Sequence, residues 1–446
     1  MASMDWTRLL SQQRLCDSTP PRHEKGRTEY GRDFDRILFS TPFRRLRDKT
    51  QVFPLPVNDH IHNRLTHSIE VASVGRSLGK AVGYEILARY PHLANELGLE
   101  TSDFGDIVAA ACLMHDIGNP PFGHSGEDAI HQWFRRSPWA NELPPAQAGD
   151  LCSFEGNAQG FRLVSRLSMK PDRGGMQLTC ATLASFMKYP QGSPQVAPNA
   201  GPARKKFGYF QSEANLFAEV ANQVGLIEVT PGSWCRHPLA FLVEAADDIC
   251  YNILDAEDGF ILGLIQFQDY VDLVTPLMGR KLREQTHSHH ASRRETVSLM
   301  RAMAINNLIK ACQDAFITHE PQILTGTMDR CLVAATPLHQ PLRELTAHVS
   351  KTCYNAVDVL HIEVAGYQVI AKLLDLLIPA ATSNPHGLYA LDRIMYEFLI
   401  REVDGIEQTE NTYERILRVT DFISGMTDRY AMNIYRRFAG VTLPGW

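Results

Sequence analysis

No CxxC pair occurs in this sequence. Its nine cysteines stand singly at positions 16, 112, 152, 180, 235, 250, 312, 331 and 353. An odd count without paired spacing argues against a disulfide framework or a zinc ribbon and for free thiols in a reducing cytoplasm. The N-terminal MASMDWTRLLSQQRL lacks the apolar core of a signal peptide. No apolar run approaches the roughly 20 residues that span a bilayer. These absences set the expectation of a cytoplasmic protein without a membrane partner. Positive charge is not in excess either: 44 Lys and Arg face 50 Asp and Glu, a net charge of −6. The overall charge therefore lends no support to nucleic acid as the primary partner, and leaves only a local patch or an intersubunit groove for a single strand. The phosphate-cradling GxxxxGK[ST] is missing. Long β-alternating runs are scarce, and no internal repeat is evident.

What is present is helical periodicity. The chain has 446 residues, 44% hydrophobic and 21% charged, ample for a large core. Residues 63–90 space apolar side chains three and four apart: Leu65, Ile69, Val71 and Ala72, then Leu78, Val82, Ile86 and Leu87. Residues 103–116 continue the pattern until Gly118 and Pro120–Pro121 stop it. A further helix is expected over 125–136 with Ser125 as its N-cap. Others are expected over 157–168, 179–189, 238–257, 301–316, 355–378 and 412–438, making the fold all-α. Segments 139–150, 189–206 and 284–294 are rich in Pro, Gly, Ala or polar residues and read as loops.

One window concentrates chemistry. Residues 113–128, LMHDIGNPPFGHSGED, hold two histidines, three carboxylates, three glycines and a proline pair. His115 and Asp116 stand where a helix is stopped, so neighbouring side chains can converge there. Within a helix they would diverge by roughly 100°. An imidazole and a carboxylate suit a divalent ion. His67 is a candidate third ligand, and Asp247 or Asp248 a fourth. Asp247, Tyr251 and Asp255 recur every four residues in an acidic helix with an apolar frame, an arrangement that a cation would stabilise. His124 and Glu127, three apart, can face one way, and a His–carboxylate pair suits proton transfer near neutral pH. THSHH (286–290) is metal-rich in composition, but its polar setting reads as a solvated loop.

The order H…HD…D resembles the HD-domain metal-dependent phosphohydrolases. RRLRDKTQVFPL, NRLTHSIEV, HDIGNPPFGHSGE, FEGNAQGFR, FMKYP, EAADDICYNILDAEDG and FISGMTDRYA together resemble the dGTP triphosphohydrolase family, from about residue 27 to the C-terminus. The resemblance implies an N-terminal extension (1–26), an HD-domain catalytic core (27–283) and a C-terminal helical region packed on it (284–446), assembled as a hexamer. It implies hydrolysis of dGTP or another dNTP at the α-phosphate, giving deoxynucleoside and tripolyphosphate. It places one divalent metal per subunit on His67, His115, Asp116 and Asp247. Mn²⁺ or Mg²⁺ is expected first, with Ni²⁺, Fe²⁺ or Zn²⁺ as alternatives for a mixed N/O site. His124 becomes the proton-transfer group and Glu127 its orienting partner. Arg64, Lys188 and Tyr189 are expected at the phosphates, with Arg44, Arg45 and Arg429 as further cations. Gln51 and Asp255 are expected at the sugar 3′-OH, and Tyr251 under the deoxyribose. Asn119 and Asn157 are expected near the pocket. The competing readings are an HD phosphodiesterase or nucleotidase acting on another nucleotide, and a nucleic-acid-binding regulatory protein built on an HD fold.

Overall fold

Three glycines four residues apart set the geometry around the site. In the computed structural model they lie on the helix Arg64–Arg89, and all three face the helix Thr101–Met114. A Cβ on Gly75 would stand 2.5 Å from the Cys112 sulfur, one on Gly79 2.5 Å from the Phe104 carbonyl oxygen, and one on Gly83 2.8 Å from the Phe104 ring. Hydrogen side chains let the two helices approach to backbone contact, and that contact fixes their register. The same i, i+4 stripe continues backward through Val71 to His67, and every member is buried. His67 is thereby delivered to the interhelical seam, close to where the second helix ends. Ile69, expected to face inward, is instead 47% exposed.

The structure describes residues 2–17, 19, 26–53, 60–171, 173–197, 201–279, 292–383, 389–407, 409 and 411–442. The helices that build the site are α1 (Arg64–Arg89), α2 (Thr101–Met114), α3 (Gly123–Arg136), α4 (Gly156–Arg162), α5 (Cys180–Phe186), α6 (Ala240–Ile261), α7 (Arg293–Leu324), α8 (Val357–Thr382), α9 (Thr412–Ser424) and α10 (Asp428–Phe438). The strands described are a small antiparallel pair, Glu228–Thr230 and Ser233–Trp234. The all-α expectation holds. α1 opens with a capping box between Asn63 and Thr66.

Several boundaries differ from the sequence pattern, each for a local reason. Ser125 does not cap α3. Phe122 and Gly123 both take left-handed backbone angles, φ +64° and +59°, and turn the chain so that the helix starts at Gly123. Residues 412–438 form two helices, because Thr427 accepts from the Tyr430 N–H and starts α10 anew. α5 ends at Phe186, so Lys188 and Tyr189 leave the helix. The 157–168 stretch finishes in a turn of π-helix, Leu163–Leu167. Segment 139–150 is not a loop. It contains the helix Trp139–Glu142 and most of the helix Pro145–Cys152, whose first residue is a proline, the residue type a helix start accommodates. Arg293 and Arg294 belong to α7. The rest of the 284–294 segment up to residue 291, with THSHH, lies outside the described residues, as do residues 198–200 of the 189–206 segment.

Two apolar clusters lie behind the site. The larger contains Val71, Leu78, Val82, Ile107, Val108, Ala246, Ile249 and Ile253 from α1, α2 and α6. The smaller joins Ile130 and Phe134 of α3 to Ile370, Leu373 and Leu377 of α8 and Ile416 of α9. α8 is long and apolar enough to cross a membrane by length and composition alone. In this fold its Val369, Ile370, Leu373 and Leu377 are buried in the smaller cluster, and Glu363, Lys372 and Asp375 interrupt its apolar run.

Candidate active site

α1, α2 and α6 bring four side chains to one point. The ligand atoms of His67, His115 and Asp116 lie within 4.8 Å of one another. Asp247 Oδ1 is 3.2 Å from His67 Nε2 and 3.5 Å from His115 Nε2. His115 Nδ1 lies 2.7 Å from the Cys112 carbonyl oxygen and donates to it, which turns Nε2 toward the carboxylates. Burial alone would raise the Asp116 pKa, but Arg64, His115 and His67 outweigh it and hold the carboxyl at about 2. Burial likewise pushes Asp247 up, and His115 and His67 pull it well below the usual range. Two imidazole nitrogens and two carboxylates, two-thirds buried or more, are a donor set that fits one divalent ion.

Both oxygens of Asp116 are tethered. Arg64 Nη1 donates to Oδ2 at 2.6 Å, and Asn119 Nδ2 donates to Oδ1 at 2.5 Å. These contacts orient the carboxylate beside the histidines. Asp248, the alternative to Asp247 in sequence, forms no ion pair with either histidine, whereas Asp247 faces both. Burial, with Glu244 and Asp247 adding to it, raises its pKa to about 7 against the pull of Lys188.

His124 and Glu127 stand across the turn from this cluster. His124 Nδ1 is 3.1 Å from Glu127 Oε2. The second oxygen, Glu127 Oε1, accepts from the Gly156 N–H at 2.6 Å. That bond explains the FEGN motif: a Cβ on Gly156 would fall 2.2 Å from Asn119 Oδ1 and 2.8 Å from Glu127 Oε1. Glu127 is buried, whereas the His124 ring is 88% exposed at the pocket mouth. The hydrogen bond to Glu127 raises the His124 pKa above that of an ordinary imidazole. Because the ring meets water, that effect is damped. Glu155, behind Glu127, pairs with Lys206 at 2.9 Å, and burial lifts its pKa to about 7.

These groups open into a cavity of about 570 Å³, a size that suits a nucleotide. Gln51, Arg64, His115, Asp116, Asn119, His124, Glu127, Asn157, Lys188, Tyr189, Asp247 and Tyr251 line it. His67 lies just behind the wall, 2% exposed. Gln51 Oε1 is buried without a hydrogen-bond partner among the described residues. Lys188 stands 3.6 Å from Glu244.

Four expected residues are placed elsewhere. Asp255 does not line the cavity. Its carboxylate is buried and accepts from the Tyr354 hydroxyl at 2.6 Å, and burial raises its pKa to about 7. Arg44 and Arg429 are exposed outside the cavity. Arg45 borders a separate cavity and donates to the Gly425 carbonyl at 3.0 Å. Conversely, sequence reasoning missed Lys205, Lys206, Tyr354, Val359, Ile362 and Glu363, all of which line the cavity. The two lysines were visible only as a short basic pair at the end of a loop. The other four come from a segment some 100 residues after α6, with no motif of its own.

Residues 64–147 match the HD domain, and residues 332–437 match the phosphohydrolase-associated domain. A deoxyguanosinetriphosphate triphosphohydrolase-like protein of Synechocystis sp. is 44% identical over 99% of this chain and 100% of its own length. One from Pseudomonas aeruginosa is 38% identical over 99% and 100%. The deoxyguanosinetriphosphate triphosphohydrolase of Salmonella arizonae is 32% identical over 99% and 100%. With these full-length matches and an HD motif assembled in space, the chain belongs to the deoxyguanosinetriphosphate triphosphohydrolase-like family of HD-domain hydrolases.

Proposed function

We propose that the protein is a metal-dependent dNTP triphosphohydrolase that cleaves dGTP to deoxyguanosine and tripolyphosphate. The observation that carries this reading is one cavity holding both the His67–His115–Asp116–Asp247 cluster and the His124–Glu127 pair. A divalent ion on those four residues, Mn²⁺ or Mg²⁺ first and Ni²⁺, Fe²⁺ or Zn²⁺ as alternatives, would supply Lewis-acid polarisation of an α-phosphate oxygen. Arg64, Lys188, Lys205 and Lys206 bring positive charge to a substrate that carries about four negative charges. His124 moves the proton at the scissile bond through its Nε2, while Glu127 fixes the ring through Nδ1. Gln51 Oε1, an acceptor without a partner among the described residues, suits the sugar 3′-OH, and Tyr251 suits the deoxyribose face. Glu363 stands with Val359, Ile362 and Tyr354 on the C-terminal wall. A carboxylate there accepts from two N–H donors, the pattern of guanine N1 and N2, which favours dGTP. Exposed Val357, Leu360 and Val364 on α8 suit a contact between copies in the proposed hexamer.

The test is incubation with each dNTP and Mn²⁺ or Mg²⁺, separating nucleoside, monophosphate and tripolyphosphate. Deoxynucleoside and intact tripolyphosphate are expected. Orthophosphate with dNDP would overturn the reading. His124→Ala should lower kcat by roughly 10²–10⁴-fold, the scale of losing a proton-transfer group.

A further inference from the structure

We propose that Lys49 and Asp428, far apart in sequence, are positioning residues that clamp the 119–122 turn and so set the His124–Glu127 pair against the metal-binding cluster. The inference rests on the reading above. Lys49 is 2% exposed, and its ammonium donates to two backbone carbonyls: Asn119 at 2.5 Å and Ser424 at 2.7 Å. Asp428 is 6% exposed, and its two oxygens accept from two backbone N–H groups: Thr50 at 2.9 Å and Phe122 at 3.0 Å. The turn between the two halves of the site is thus gripped at both ends, through the Asn119 carbonyl and the Phe122 amide.

Neither Lys49 nor Asp428 lines the cavity, yet both hold the backbone of residues that do, Asn119 and Phe122. Phe122 is an aromatic residue held at φ +64°, a backbone state unfavourable outside glycine that persists only when its surroundings impose it. α3 starts directly after it without a side-chain cap. The direction of that helix, and with it the position of His124, therefore depends on what holds Phe122. The clamp comes from the corner between α9 and α10. Lys49 meets the carbonyl end of α9, and Asp428 lies in the first turn of α10, so each charge sits at the helix pole that favours it. Arg45 adds a third link from the same N-terminal segment, to the Gly425 carbonyl. The RDKTQ and GMTDRYA motifs thus meet in space at one joint. Asp428 also partly offsets the burial that lowers the Lys49 pKa to about 7.

Asp428→Asn keeps the shape but leaves one of the two N–H groups without an acceptor, and Lys49→Met keeps the stem but removes both donated bonds. Each is compared with wild type by hydrogen–deuterium exchange and by steady-state kinetics, with thermal denaturation to establish that it folds. Exchange across residues 118–125 should rise about tenfold in both variants, while α1 and α2 keep their protection. kcat should fall by about 10²-fold, the scale of a small misplacement of reacting groups. KM and the Mn²⁺ affinity should stay within about threefold, because His67, His115, Asp247 and Lys188 lie outside the turn and Arg64 still holds Asp116. The pH of the His124 limb should not move, since His124 and Glu127 shift together on α3. The double variant should be no slower than the slower single one. Unchanged exchange across the turn, wild-type kcat in both variants, or a loss carried by KM would overturn the clamp. A wild type inert toward every dNTP would sink the functional reading instead, and the exchange measurement would still decide the clamp.

Discussion

A carboxylate with two oxygens can serve two masters, and this site uses that twice. Asp116 divides its oxygens between Arg64 and Asn119 while facing the histidines. Glu127 divides its own between the Gly156 N–H and the His124 ring. The backbone bond fixes the carboxylate, and the carboxylate then fixes the tautomer and tilt of the imidazole. Glu127→Gln tests this. The carboxylate raises the His124 pKa, so its removal must let that pKa fall. Whichever limb of the kcat–pH profile belongs to His124 is expected to move to lower pH. A limb that stays in place, measured with purified variant and saturating substrate, would separate Glu127 from the proton chemistry.

At the scale of elements, the α1–α2 pair is a rail that sets His67 beside His115 and Asp116. Its close approach exists because Gly75, Gly79 and Gly83 carry no Cβ toward α2. Gly79→Ala is the sharpest test. Alanine gains about 1 kcal/mol in helix propensity, so an exposed position would become more stable. Here the new Cβ would meet a backbone carbonyl at 2.5 Å, which cannot swing away. A net loss of about 1–3 kcal/mol is expected in urea denaturation, the usual cost of overpacking. The rail also explains why periodicity located α1 and α2 in sequence but misjudged Ile69. The apolar pattern admits two adjacent faces, and only the glycine stripe, which scores as nothing in a hydrophobic count, picks the buried one.

Across the whole molecule, the half of the site that holds His124 and Glu127 is braced by the C-terminal helices. Arg162, on α4, is fully buried and binds Glu213 at 2.7 Å and Asp421 of α9 at 2.9 Å. The same α4 begins with Gly156, which holds Glu127. Arg162→Met removes the buried cation and leaves Glu213 to Arg166 at 3.1 Å and the Ser212 hydroxyl, and Asp421 to the Gln159 amide at 2.8 Å. An uncompensated buried charge costs about 3–5 kcal/mol, and the remaining partners reduce that loss to about 1–3 kcal/mol. The variant is expected to unfold at markedly lower urea and, where folded, to lose kcat more than metal affinity. Wild-type stability would show that water already screens this network.

The sequence alone determined the helical class and the local chemistry. Helix periodicity, the proline stop after Asp116 and the three-residue spacing of His124 and Glu127 are near-neighbour properties, and near neighbours are what a sequence displays. It also singled out His67 and Asp247, through the family resemblance and the D-x3-Y-x3-D spacing, and the fold sets both beside His115. Burial and long-range contact were decided only by the tertiary structure. Asp255 and Tyr251 share one helix face in sequence, yet Tyr354 arrives from a distant segment and takes the Asp255 carboxylate for itself. Arg45 reads as a cation for phosphate, but the α9–α10 corner gives it a backbone carbonyl. The cavity wall at Val359, Ile362 and Glu363, and the grip of Lys49 and Asp428 on one turn, arise from chain segments hundreds of residues apart. No local pattern encodes such meetings, because they depend on which faces the packed helices turn toward one another.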